Sequence, residues 1–110
     1  MTLQLQDLQI SGGWFTAYNQ FYNVDPSQQT IQSVDTVFTQ DILQFTNQSR
    51  NRLIDLGWYP EGCYAEGAYR LVVYQGDFSG KLLYQLDSKD KQQIVSEINR
   101  LLLQITNGYL

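Results

Sequence analysis

Few groups in this chain could do chemistry. There is no histidine, which removes the commonest general base and the commonest metal ligand together. Ser-His-Asp and Cys-His catalysis within the chain are therefore excluded. The single cysteine, Cys63, cannot form an intramolecular disulfide, and with no histidine beside it no structural zinc site, and no cofactor, is expected. No Lys, Arg or His stands near Cys63 in sequence to lower its pKa, so it reads as a small packed residue and not as a nucleophile. Carboxylates remain. Glu61 and Glu66 flank one loop and Asp55 lies just before it. A glycosidase-like pair would need two carboxyls held about 5–10 Å apart across a cleft. Acids at such positions are usually solvated, so a carboxylate-dependent hydrolase comes last among the readings. On strand alternation Asp55 is expected to face solvent.

The distribution of charge says more than its size. The net charge is −4. Asp7, Asp25, Asp35 and Asp41 precede the first basic residue, Arg50, and from there onward acids and bases balance. All of the net charge thus lies in the first half, an asymmetry that points to a partner of opposite sign. Aromatic residues make up 14%, with eight tyrosines, while charged residues are only 16%. A polar, weakly charged, Tyr-rich surface suits protein contact. Tyr59, Tyr74 and Tyr84 could stack on bases, but an acidic chain lacks the basic surface that phosphate contacts require, so no nucleic-acid partner is expected.

The elements that would position these groups follow from periodicity. The 110 residues suit a single domain, 1–110, large enough to fold without staples. Residues 3–10 alternate apolar and polar, with a phase shift at Asp7 that suggests a bulge. Ser11-Gly12-Gly13 would reverse the chain into a return strand over residues 14–24, with Trp14, Thr16, Tyr18 and Gln20 on one face. Residues 28–46 leave helix and strand open, with Val34, Val37, Phe38, Ile42 and Phe45 on helical spacing and the threonines against it; a strand at about 41–46 is favoured. Residues 53–59 form a strand whose Ile54, Leu56 and Trp58 look inward; residues 68–74 and 81–86 follow, with Leu82, Tyr84 and Leu86 on one face. Asp87 or Ser88 would cap a last helix. Its Ile94, Val95, Ile98, Leu101, Leu102 and Ile105 make one apolar stripe, and Asn107-Gly108 supplies its stop. The expected fold is α+β: a single antiparallel β-sheet of about five to six strands with a C-terminal amphipathic helix packed on one face.

The run Leu53-Ile54-Asp55-Leu56-Gly57-Trp58-Tyr59-Pro60-Glu61-Gly62, with Gly67-Ala68-Tyr69-Arg70-Leu71-Val72-Val73-Tyr74 and the closing helix, resembles small bacterial immunity proteins of polymorphic toxin and contact-dependent growth inhibition systems. The resemblance covers about half the chain. It implies a non-enzymatic protein that neutralises a cognate toxin by protein–protein contact. It transfers no binding residue, and Gly57, Trp58 and Pro60 read as structural.

The leading expectation is therefore a binding protein that meets a toxin, such as a basic nuclease domain, through Asp25, Asp35, Asp41, Glu61, Tyr64, Glu66 and Asp77. A homodimer formed through sheet edges is the alternative. With one cysteine, no signal-like N-terminus and no apolar run long enough for a span, the expected location is cytoplasmic, with no membrane partner.

Overall fold

A computed structural model describes residues 4–23, 39–60 and 66–110. Among the described residues, five strands form one antiparallel sheet in simple sequential order: β1 (Phe15–Asn19), β2 (Leu43–Asn47), β3 (Arg52–Tyr59), β4 (Ala68–Gln75) and β5 (Leu82–Ser88). A C-terminal helix, α1 (Lys91–Thr106), completes the α+β fold. The region 28–40, read as either helix or strand, lies outside the described residues except at its end.

The alternating pattern of β2–β4 is what builds the core. Leu43 lies opposite Leu56 and Leu56 opposite Leu71; Phe45 lies opposite Ile54 and Ile54 opposite Val73; Trp58 lies opposite Tyr69. These eight side chains are buried in one cluster with Ile94, Ile98, Leu101, Leu102 and Ile105 of α1. Burying each aliphatic side chain of the helix stripe is worth roughly 1.5–3 kcal/mol relative to leaving it in water. Trp58 and Tyr69 meet edge to face, with ring centroids 5.0 Å apart, a geometry that adds to area burial.

Both ends of α1 are closed by hydrogen bonds. The N-cap is Asp90, whose side chain accepts from the Gln92 and Gln93 backbone N–H groups, and not Asp87 or Ser88 as the sequence suggested. Asp87 and Ser88 remain in β5; Ser88 instead hydrogen-bonds the Asp90 N–H and the Gln93 side chain. At the other end Gly108 takes φ of 82°. The Gly108 N–H donates to Ile105 O, and the Tyr109 N–H to Gln104 O, which is a Schellman closure. Arg50, from the β2–β3 turn, donates Nε and Nη2 to Thr106 O at 3.2 and 2.9 Å. A cation from another element thus sits where the helix dipole favours one.

Three further sequence expectations are corrected. Residues 3–10 do not form a strand in the described part; they contribute one bridge, Leu5 to Tyr22. The backbone then turns to the helix, with Gln9 N–H donating to Asn99 Oδ1 and Ser11 Oγ bonded to Thr106 Oγ1. Trp14 Nε1 reaches the same Thr106 hydroxyl. At Gln9 a helix side chain stands where a neighbouring strand would have supplied the backbone acceptor. Lys91, only 5% exposed, ties the bridge to the first helical turn through Gln6 Oε1 (2.8 Å) and Asn23 Oδ1 (2.5 Å).

The second correction is the facing of β1. An irregularity at Ala17 puts Thr16 opposite Phe45 but Tyr18 opposite Gln44, so Thr16 and Tyr18 face opposite sides. The third concerns β5. A register shift leaves Tyr74 opposite Leu82 while Val73 stays opposite Tyr84. Tyr84 and Leu86 pack on the core, but Leu82 moves to the other face and is exposed.

Gly57 is required by a close approach. The Trp58 N–H donates to Thr39 O at 2.8 Å and the Ile42 N–H to Leu56 O at 3.0 Å, which seats residues 39–42, ahead of β2, against β3. A Cβ on Gly57 would stand 2.3 Å from the Gln40 carbonyl oxygen. Gly57→Ala should therefore lower stability by about 1–3 kcal/mol through overpacking. The expected sign is a lower urea midpoint at unchanged slope; an unaltered midpoint would mean that the residue-40 backbone yields freely.

Candidate functional site

The helix covers one face of the sheet, and the residues of interest gather on the other. Register places Gln44, Asp55, Val72 and Gln85 in one row across β2–β5, with Tyr18 of β1 joining opposite Gln44. Gly57, Arg70 and Asp87 form the next row; Thr46, Leu53, Tyr74 and Leu82 form the row on the other side.

Asp55 is the centre of this face. It is 6% exposed, against the expectation that it would meet solvent. Its Oδ1 accepts from the Tyr18 hydroxyl at 3.0 Å and from Gln44 Nε2 at 3.4 Å. Its Oδ2 has no hydrogen-bond partner among the described residues. No cation pairs with it there either: the described ion pairs are Arg70–Asp87 and Arg100–Glu97. Arg70 is held by Asp87 through two hydrogen bonds of 3.0 and 3.1 Å, and its guanidinium lies 5.2 Å from the Tyr59 ring centre. Tyr74 and Phe78 meet edge to face at 5.3 Å. Asp55, Tyr59, Arg70, Val72, Tyr74, Phe78 and Gln85 line a cavity of about 280 Å³.

Electrostatics follow from this burial. Loss of water pushes the Asp55 carboxyl above its ordinary 3.8; hydrogen bonds from Tyr18 and Gln44 oppose that shift, and the Asp41 charge reinforces it. Tyr18 is raised as well, first by burial and then by the charge of Asp55. Asp87 moves the other way, held below the ordinary carboxylate range by its hydrogen bonds from Arg70.

Of the residues expected to bind a partner, Asp41 is exposed just ahead of β2, and its charge is felt at both Asp55 and Tyr18. Glu66 is exposed just before β4, while Asp77 is exposed in the β4–β5 turn, so the eight-residue strand separates them. Asp77 Oδ1 accepts from the Ser79 N–H and hydroxyl, a local bonding pattern that shapes the turn. Asp41 therefore joins the outer-face group, and Asp77 stands at the far end of the sheet. Asp25, Asp35, Glu61 and Tyr64, like Cys63, lie outside the described residues. The sequence reading did not include Asp55, Tyr18 or Arg70 among the contact residues. The available signal was an acid between Ile54 and Leu56 in a strand with no polar neighbour to satisfy it.

A second cavity, about 570 Å³, lies at the end of the sheet against Trp14, Phe15, Asn47 and Arg52. Two of its polar side chains are already bonded: Asn47 Oδ1 accepts from Ser49 Oγ and Arg50 N–H, and Arg52 donates to the carbonyls of Arg50, Asn51 and Leu110. Among the described residues no helix is long and apolar enough to cross a membrane, and no three potential metal-ligating side chains come together. Comparison with known proteins gave no match to a family model, to a curated protein or to a solved structure.

The raised Asp55 carboxyl fixes the sign of a pH effect. Below the ordinary value of 3.8 the acid is protonated in both folded and unfolded chains and costs nothing. As pH rises through the window above it, the unfolded chain loses its proton first, and folding is progressively disfavoured by this group. Asp55→Asn keeps an acceptor for Tyr18 and carries no charge. Its stability relative to wild type should therefore rise as pH increases from about 4 toward neutrality. Urea titrations of both proteins across that range measure this; a constant difference at every pH would contradict it.

Proposed function

We propose that this chain is a non-enzymatic binding protein that neutralises a basic protein partner, in the manner of a cytoplasmic immunity protein acting on its cognate bacterial toxin. The observation that carries the reading is negative charge without an ion-pair partner among the described residues, on the face of the sheet away from α1. Asp55 and Asp41 have no ion-pair partner among the described residues, whereas Arg70 and Arg100 are matched by Asp87 and Glu97. Around that charge stand Tyr18, Tyr59, Tyr74 and Phe78, the last 53% exposed. Rigid aromatic side chains with a polar tip are the favoured anchors of protein interfaces. A nuclease toxin offers a basic cleft, and an acidic face approaching it gains steered, fast association.

Co-expression with the protein encoded beside it is the direct test. Growth should be rescued and the two chains should co-purify, with an association rate that falls as ionic strength rises. Absence of both binding and rescue would sink the proposal. A second reading, a homodimer through sheet edges, is favoured by one observation: the outer edge of β5 pairs with no strand among the described residues. Sedimentation separates the two, since a tight dimer that takes no heterologous partner supports the edge-paired assembly.

A further inference from the structure

We infer that the cavity on the outer face of the sheet is the receptor for a single arginine side chain of the protein partner, with Asp55 as its anion and Tyr59, Tyr74 and Phe78 as its walls. This rests on the reading above and specifies its chemistry. Asp55 is nine-tenths buried, lines the cavity, and leaves Oδ2 without a hydrogen-bond partner among the described residues. Its bonded oxygen, Oδ1, is held from the side of β1 and β2 by Tyr18 and Gln44. The cavity lies on the opposite flank, with walls drawn from β3, β4, the β4–β5 turn and β5. A buried carboxylate oxygen with no donor is costly, and a donor arriving from the cavity side removes that cost.

The walls select the kind of donor. Two tyrosines and a phenylalanine offer π faces and edges to a cation. A guanidinium is planar, stacks on aromatic rings and sheds water more readily than an ammonium. The face already holds one stacked guanidinium, Arg70 at 5.2 Å over Tyr59. The two hydrogen bonds from Arg70 to Asp87 occupy that cation, so Asp55 is left to pair with an incoming one. Asp41 adds negative charge close enough to act on Asp55. About 280 Å³ suits one side chain and not a folded segment.

The experiment is an NMR titration of the intact protein at neutral pH with n-butylguanidinium, using n-butylurea as the neutral isostere. Saturable shifts are expected in the side-chain resonances of Asp55, Tyr74 and Phe78 with the guanidinium and not with the urea. Asp55→Asn should abolish them. Phe78→Ala, at an exposed turn position outside the core cluster, should weaken them several-fold; this variant keeps the test sound should the Asp55 change impair folding. Equal responses to both probes, or guanidinium binding unchanged in both variants, overturns the inference. The two proposals fail separately. Growth rescue by a protein whose cavity ignores the guanidinium discards the arginine receptor and leaves neutralisation standing. Saturable binding in a protein that rescues no growth supports the receptor and discards the toxin reading.

Discussion

Among the described residues a single amphipathic helix covers one face of a five-stranded sheet, and the packing of those residues is arranged around that limit. The stripe of Ile94, Ile98, Leu101, Leu102 and Ile105 completes the core laid down by Leu43, Phe45, Ile54, Leu56, Trp58, Tyr69, Leu71 and Val73. The helix is then held in place at its margins. Arg50 closes its C-terminal end, and Lys91 fastens its first turn to the Leu5–Tyr22 bridge. The Tyr84 hydroxyl donates to Glu97, and Arg100 pairs with the same acid, joining β5 to the helix surface. The exposed ion pair adds little alone; it gains from sharing Glu97 with a half-buried tyrosine.

Among the described residues no helix lies on the opposite face, and the two register irregularities decide what that face contains. Shifting β1 at Ala17 swings Tyr18 to the outer side, where its hydroxyl reaches Asp55. Shifting β5 beside Tyr74 delivers Leu82 to the same side. Because side chains alternate with period two, a one-residue slip changes face for everything beyond it. Without the first shift Tyr18 would stay on the side of Thr16, and Asp55 would keep only the long bond from Gln44. The bulge in β1 is thus part of how the acid is accommodated.

These irregularities are also where reading the sequence stops. β3–β5 and the helix were legible because their alternation and 3.6-residue period are strong, and because Asn107-Gly108 marks the stop; β2 was less so, since Ile42 and Phe45 also fit a helical stripe. The positions of the bulges were not, since a slip leaves no compositional trace when Thr and Tyr are acceptable on either face. The phase shift that is visible, at Asp7, lies in a segment that bridges Tyr22 at Leu5 and then donates the Gln9 N–H to Asn99 Oδ1 of the helix. Local pattern cannot announce a contact between residue 9 and residue 99. The N-cap was displaced for a related reason: Asp87, Ser88 and Asp90 all cap well, and strand pairing of Asp87 with Arg70 and of Ser88 with Tyr69 left Asp90 to the helix.

Asp55 joins the two halves of the argument. An acid between Ile54 and Leu56 in the middle strand could be reconciled with folding by solvent, and alternation alone favours that answer. Here the carboxylate instead lies beneath its neighbours, with one oxygen satisfied and a cavity beside it. For stability, an apolar residue at this point would have served the sheet better, since burial raises the carboxyl and the Asp41 charge raises it further. Groups that cost the isolated fold and line an open cavity are the ones whose environment suits an incoming ligand. The same three features that make Asp55 unfavourable in the free chain (burial, like charge nearby and an unfilled acceptor) all become favourable once a cation occupies the space above it.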